Sequence, residues 1–164
     1  MKTLTLLRHC KSDWTTSDHD HDRPLNQRGF GDIEVIANEL NKLEFSAGVC
    51  FYSTALRAKT TALGVTERLE YPISAYPKKE LYTFDYEDVW DIIWKLSNLY
   101  DSVLLVGHNP AFTDMVNQLG DVRVDNVPTG GIAQFTFDLK DWKHIKPHGG
   151  ILNFFEYPKI LKNS

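Results

Sequence analysis

The sequence predicts an α/β fold: a single three-layer domain, with a mostly parallel central sheet, flanking helices and an antiparallel C-terminal edge. Three observations carry this. Short apolar runs alternate with longer amphipathic segments of helical period, the pattern of successive βαβ units. Two of the runs, Leu4-Thr5-Leu6-Leu7 and Val103-Leu104-Leu105-Val106, are too short for helices and too apolar for exposed strands, which marks them as buried central strands. The last stretch instead carries two extended runs without a helix between them, the mark of antiparallel pairing.

The elements follow in order. The first strand is expected near 3–8. The first helix, near 29–43, places Ile33, Ile36, Ala37, Leu40 and Leu43 on one stripe, which faces the core. A strand near 47–52 leads into a helix near 55–69, and a short strand near 72–75 follows. In the helix near 87–99, Trp90, Ile93, Trp94 and Leu96 form a packing face. The strand near 102–107 and the helix near 110–118 complete the parallel portion. Ala133, Phe135 and Phe137 alternate with Gln134 and Thr136 in a strand near 132–138, read as half-exposed or at an edge, and the segment 151–157 is expected to pair with it. There is no internal repeat and no linker. With 164 residues and 42% apolar content, residues 1–164 suffice for one domain around a continuous core.

The chemistry gathers where the predicted strands stop. Ligands of open α/β sheets bind outside the carboxyl ends of the strands. Arg8 and His9 end the first strand, and Gly107-His108-Asn109-Pro110 ends the strand near 102–107, with a proline suited to the first turn of the next helix. Arg57 falls in the first turn of the helix near 55–69. A cation is disfavoured there by the helix dipole, so its presence points to a nearby anion, or to a carboxylate partner.

These motifs resemble the histidine phosphatase superfamily, and more closely its SixA-type branch of small phosphohistidine phosphatases. The resemblance rests on Leu6-Leu7-Arg8-His9 with Lys11, Ser12 and Trp14, on Asp20-His21-Asp22-Arg23-Pro24-Leu25-Asn26 with Arg28-Gly29, and on Ser53 followed by Ala55-Leu56-Arg57-Ala58, Thr61 and Ala62. Leu104 to Pro110 and Pro128-Thr129-Gly130 follow in the family's order, so roughly residues 3–139 take part. The resemblance implies phosphoryl transfer through a phosphohistidine intermediate, with His9 as nucleophile and Arg8, Arg57 and His108 around the phosphoryl group. It also nominates Ser12, Arg23, Asn26, Asn109, Thr129 and Gly130 for binding the phosphate or substrate. Elementary chemistry agrees with such roles. Arginine donates parallel hydrogen bonds and stays charged, and an imidazole with an ordinary pKa of about 6.5 is largely neutral at neutral pH.

The sequence departs from the wider superfamily at the expected general acid. In Glu80-Leu81-Tyr82-Thr83-Phe84-Asp85, Thr83 occupies the apparent glutamate position and cannot serve as that acid. Asp85, Glu87 and Asp88 are the nearby alternatives, read here as capping and first-turn residues of the following helix. Lack of an acid favours a leaving group that departs without strong protonation. An imidazole does so, whereas an alkoxide does not.

A net charge of −4 and the lack of a basic stripe argue against nucleic acid as a partner. No run approaches a membrane span, and the catalytic motif begins so early that signal cleavage would remove it, so a cytoplasmic protein is expected. Cys10 and Cys50 make no disulfide framework and are read as reduced. Cys10 beside His9 is either a redox-sensitive thiol or, as favoured here, a small strand-end residue. Asp18-His19-Asp20-His21-Asp22 alternates metal-ligand types but lacks a scaffold, and is read as a polar loop beside the pocket; no metal or other cofactor is expected. His144 and His148 are read as surface residues. The sequence therefore predicts a metal-independent phosphatase acting on phosphohistidine in a protein domain. The alternatives are a broad small-molecule phosphomonoesterase and a non-catalytic module that binds phosphate or phosphoproteins.

Overall fold

In the computed structural model, which describes residues 1–163, the strands and α-helices are β1 (Lys2–Arg8), α1 (Gln27–Lys42), β2 (Val49–Tyr52), α2 (Leu56–Glu67), β3 (Ala75–Pro77), α3 (Tyr86–Trp94), β4 (Ser102–Gly107), α4 (Ala111–Leu119), β5 (Ile132–Phe137), β6 (Ile151–Glu156) and α5 (Pro158–Lys162). The strands form one sheet in the order β3-β2-β4-β1-β5-β6. The first four in this order are parallel to one another, and β5 and β6 add the antiparallel edge.

The two faces of the sheet bury different residues because side chains alternate along a strand. Leu4, Leu6, Val103 and Leu105 pack with α3, α4 and the buried Trp142 on one face. Leu7, Leu104, Val106 and Cys50 pack with α1 and α2 on the other. Both central strands thus bury apolar residues on both faces, as expected of parallel strands covered on both sides.

Register brings the chemistry to one edge. Arg8 lies opposite Gly107 in the parallel pairing of β1 with β4, and the His9 N–H continues the ladder by donating to the Gly107 carbonyl at 3.0 Å. A Cβ at Gly107 would meet the Phe112 ring at 2.7 Å, so glycine lets the first turn of α4 pack close beneath the strand end. The β2–α2 connection joins the same edge, with the Ser53 N–H donating to the Val106 carbonyl at 3.0 Å.

Several boundaries differ from expectation. Strand β3 lies at Ala75–Pro77 rather than 72–75, where Cys50 to Tyr52 of β2 provide its pairing partners. Helix α3 stops at Trp94, well before 99. Beyond it the Ser97 hydroxyl accepts the Leu99 N–H, and Asn98 bridges Asp141 and the Trp142 N–H, so local side-chain bonds replace the next helical turn. Strand β5 is not an edge: it lies between β1 and β6, with Gln134 donating to the Thr5 hydroxyl inside the sheet. Five-residue α5 is too short to leave a periodic signal. It begins with Pro158 at its first turn, packs on α1, and places Lys162 Nζ 2.5 Å from the wholly buried Asp32 carboxylate.

Candidate active site

A cleft of about 270 Å³ opens at the carboxyl edge of the parallel strands. Arg8, His9, Arg57 and His108 all line it, with Lys11, Ser12, Trp14, Asp20, Arg23, Phe84, Asn109 and Thr129. Four of these twelve residues are permanent cations and one is a carboxylate, so the cleft is locally positive in a chain of net charge −4. That sign suits a dianion.

His9 sits at the end of β1 and is 7% exposed. Its Nδ1 lies 2.7 Å from the Cys10 carbonyl, which can only accept. Nδ1 therefore carries the proton, and Nε2 keeps its lone pair. The ring centre of His108 lies 5.2 Å away. Its Nε2 meets the Ser53 hydroxyl at 2.7 Å, and that hydroxyl oxygen also accepts the Ala55 N–H at 3.2 Å. Ser53 keeps its own proton to donate to His108 Nε2, and in that tautomer Nδ1 is the donor of the ring.

Burial, reinforced by His108, Arg57 and Arg8, holds His9 well below its ordinary pKa of 6.5 despite the opposing Cys10 hydrogen bond. Burial, with Arg57, Arg8 and Arg23, lowers His108 to about 3. Both imidazoles are therefore neutral at neutral pH.

The arginines are fixed from behind. Arg8 donates through Nη1 to the Val127 carbonyl at 3.0 Å, and Arg57 through Nη1 to the Asp20 carbonyl at 2.6 Å. Asp20 also accepts from Arg57 Nη2 and Arg23 Nη2, each at 3.1 Å, and from the Tyr82 hydroxyl at 2.5 Å. Burial alone would raise the Asp20 carboxyl. The Tyr82, Arg23 and Arg57 contacts outweigh it and hold the group well below the usual carboxylate range. Arg8 Nε, Arg57 Nε and His108 Nδ1 nonetheless remain buried without a hydrogen-bond partner. Three orphaned donors beside His9 are costly unless an anion uses them.

The other nominated residues divide. Ser12 lines the cleft, and its hydroxyl accepts from Arg23 Nη1. Arg23 lies over the Trp14 ring at 3.6 Å. Asn109 lines the cleft but is fully engaged: its Nδ2 donates to Asn126 and the Val127 carbonyl, and its Oδ1 accepts from the Thr113 N–H and hydroxyl. Thr129 lines the cleft as well. Asn26 and Gly130 do not. Asn26 caps α1 by accepting the Gly29 N–H, and its own N–H donates to the Lys11 carbonyl, so it braces the loop from behind. Gly130, at φ +73°, spends its N–H on the Arg8 and His9 carbonyls at 3.1 and 3.0 Å.

Two of the three alternatives for an acid are likewise occupied. Asp85 caps α3 by accepting the Glu87 N–H, and Asp88 accepts from the Thr83 hydroxyl. None of Thr83, Asp85, Glu87 and Asp88 lines the cleft, whereas Phe84 does. Asp20, unassigned in the sequence, is the one carboxylate among the described lining residues, and it is ionised. Tyr82 and Ser53 were likewise unassigned. The 18–22 segment is a polar loop with a 3₁₀ turn at Asp20–Asp22; His21 meets the Thr54 hydroxyl at 2.9 Å. Cys10 is fully buried and burial pushes its thiol up to about 12, in keeping with a packing residue rather than a reactive thiol. His144 and His148 are exposed and far from this loop in sequence. No helix among the described residues is long and apolar enough to cross a membrane.

Residues 4–90 match the profile of the histidine phosphatase superfamily, branch 1. An uncharacterised protein of Mycobacterium tuberculosis strain H37Rv is 26% identical over 165 residues, covering 93% of this chain and 100% of its own. Among solved structures, the protein histidine phosphatase SixA complexed with tungstate superposes with a TM-score of 0.80 at 26% identity, covering 97% of this chain and 99% of that one. A SixA from Agrobacterium tumefaciens, assigned as a phosphohistidine phosphatase, gives 0.79 at 25% identity over 96% and 99% of the two chains.

Proposed function

This chain belongs to branch 1 of the histidine phosphatase superfamily, and from that premise we propose that it hydrolyses phosphohistidine carried on a protein, through a phosphorylated His9. The observation that carries this reading is the trio of unpartnered buried donors, Arg8 Nε, Arg57 Nε and His108 Nδ1, around a histidine whose Nε2 is free.

The donors bind the equatorial oxygens of the phosphoryl group and stabilise their charge as it is transferred. His9 Nε2 forms the new P–N bond while the P–N bond to the substrate imidazole breaks. The electron pair of that bond stays on the departing nitrogen. When the other ring nitrogen carries a proton, the substrate leaves as neutral imidazole. His9 likewise keeps its Nδ1 proton, whose bond to the Cys10 carbonyl stabilises the positive charge that its ring gains. The exchange between two imidazoles is nearly symmetric and consumes no proton. Water then attacks phosphorylated His9, releasing phosphate and restoring the ring.

The ionised Asp20 fits this choice of substrate. An alcohol leaving group needs a proton, and the one carboxylate lining the cleft is held deprotonated by Arg57, Arg23 and Tyr82. Without that demand, positioning and charge stabilisation suffice.

The test is to present the enzyme and His9→Ala with a phosphohistidine-bearing protein and an aryl phosphate, following phosphate release and acid-labile phosphoenzyme. The expected result is turnover and phosphoenzyme in the parent alone, with a preference for phosphohistidine. A preference for the aryl ester assigns the cleft to small-molecule phosphomonoesters. Phosphate binding without turnover of either leaves a binding module.

A further inference from the structure

Two large aromatic rings at the cleft remain unused by the chemistry above. Trp14 is 71% exposed and Phe84 is 50% exposed, yet both line the cleft. They reach it from separate segments, Trp14 from the loop after β1 and Phe84 from the loop before α3. Exposed apolar rings scattered singly are unremarkable on a protein surface. These two differ because each is anchored within the catalytic group.

Trp14 carries the Arg23 guanidinium over its ring at 3.6 Å, and Arg23 is itself bound to Ser12 and Asp20. One face of the indole is covered while the side chain as a whole remains largely open. Phe84 packs edge-on against His108 with ring centres 5.7 Å apart, and against Tyr82 at 6.0 Å. Asp20 accepts from Tyr82, so both aromatic anchors end on the same carboxylate. Rings held this way lose little side-chain freedom when a ligand arrives, which makes them effective recognition surfaces.

Position determines what they recognise. A phosphoryl group bound by Arg8, Arg57 and His108 occupies the inner cleft beside His9. The leaving group must then extend outward, where Trp14 and Phe84 lie with Lys11. A flat, weakly polar ring matches aromatic walls by stacking or edge-to-face contact.

We propose that Trp14 and Phe84 are the specificity-determining residues for the leaving group, forming an aromatic platform that selects phosphoryl donors whose phosphorus is attached directly to a flat ring, imidazole foremost. The inference deepens and rests on the phosphohistidine reading given above.

The experiment compares N-phosphoimidazole with phosphoramidate, two P–N donors that differ in the ring. The readout is the ratio of their kcat/KM values in the parent enzyme and in Trp14→Leu and Phe84→Leu. Each substitution is expected to lower the ratio about tenfold, the scale of one aromatic contact with a planar ring. Trp14→Tyr and Phe84→Tyr are expected to restore most of it. Circular dichroism and the thermal midpoint identify a variant that fails to fold, and the tyrosine forms then supply the comparison. A ratio unchanged within twofold in the leucine variants overturns the platform. A parent enzyme that favours phosphoramidate overturns the phosphohistidine reading as well, so the two failures are distinguishable.

Discussion

Asp20 grips Arg57 twice, with its backbone carbonyl 2.6 Å from Nη1 and its carboxylate 3.1 Å from Nη2. The same carboxylate binds Arg23 and Tyr82, so one side chain from the loop after β1 orients an arginine of its own loop and groups delivered by two other segments. Two effects oppose each other. The negative charge of Asp20 repels a phosphoryl dianion, while its hydrogen bonds fix the arginine proposed to receive it.

Asp20→Asn separates these effects. Loss of charge makes the cleft more cationic, so the inhibition constant of inorganic phosphate stays the same or tightens. Arg57 keeps its bond to the Asp20 backbone carbonyl but loses the charged side-chain contact, and kcat falls about tenfold, the usual scale for removing a residue that orients a catalytic group. A kcat equal to that of the parent contradicts the orienting role. Because the Asp20 carboxyl is depressed when folded, its contribution to stability is full above the unfolded value of about 4 and disappears as the solution becomes more acidic. The substituted protein therefore loses less stability on acidification below about pH 4 than the parent.

How far this centre was legible in the sequence depends on what generates each part. Arg8, His9, Arg57 and His108 stand at strand ends or a helix start, where local pattern and the geometry of parallel sheets converge. Asp20 lies in a polar loop with no periodicity, and its partners Arg57 and Tyr82 are 37 and 62 residues away. Only the folded chain reveals that contact. Gly130 and Asn26 were visible as motif positions, but a motif does not distinguish a residue that touches ligand from one that holds the loop. The short α5 and the interior place of β5 depend on tertiary packing in the same way.

The histidines make a pH prediction. A histidine buried neutral takes up protons more readily in the unfolded chain, so its contribution to stability is complete above pH of about 6.5 and declines below it. For His108 the decline continues toward about 3. Imidazole nitrogen NMR is expected to show His9 and His108 neutral and untitrated from pH 8 to pH 5. An imidazole midpoint above 6 for either ring in the phosphate-free protein contradicts this. Inorganic phosphate is expected to raise the His108 midpoint, because a dianion offsets the field of Arg57 and Arg8.

Cys10 adjoins the proposed nucleophile yet is fully buried, and Cys50 is buried in β2. Burial pushes both thiols up to about 12, so scarcely any reactive thiolate forms at pH 8. A disulfide reagent such as dithionitrobenzoate is expected to modify neither in the native protein, and both after unfolding in guanidinium chloride. Activity should survive the native treatment. Rapid labelling of Cys10 with parallel loss of turnover would reverse the packing assignment.

Gly130 links stability to catalysis most directly. At φ +73° it adopts a conformation that costs other residues about 1–2 kcal/mol, and a Cβ there would stand 2.7 Å from the Pro158 ring. Overpacking of this kind costs about 1–3 kcal/mol, so Gly130→Ala is expected to destabilise the fold by about 2–5 kcal/mol in denaturant titration. Its N–H bridges the Arg8 and His9 carbonyls, so any shift that relieves the clash also moves the proposed nucleophile and Arg8. Turnover is expected to drop at temperatures where the variant remains folded. Pro158→Ala in the same chain removes the ring that the new methyl group meets, and should recover the overpacking part of the loss while leaving the backbone part. Equal stability of the single and double variants would show that the strain lies wholly in the left-handed conformation and that α5 does not press on the catalytic loop.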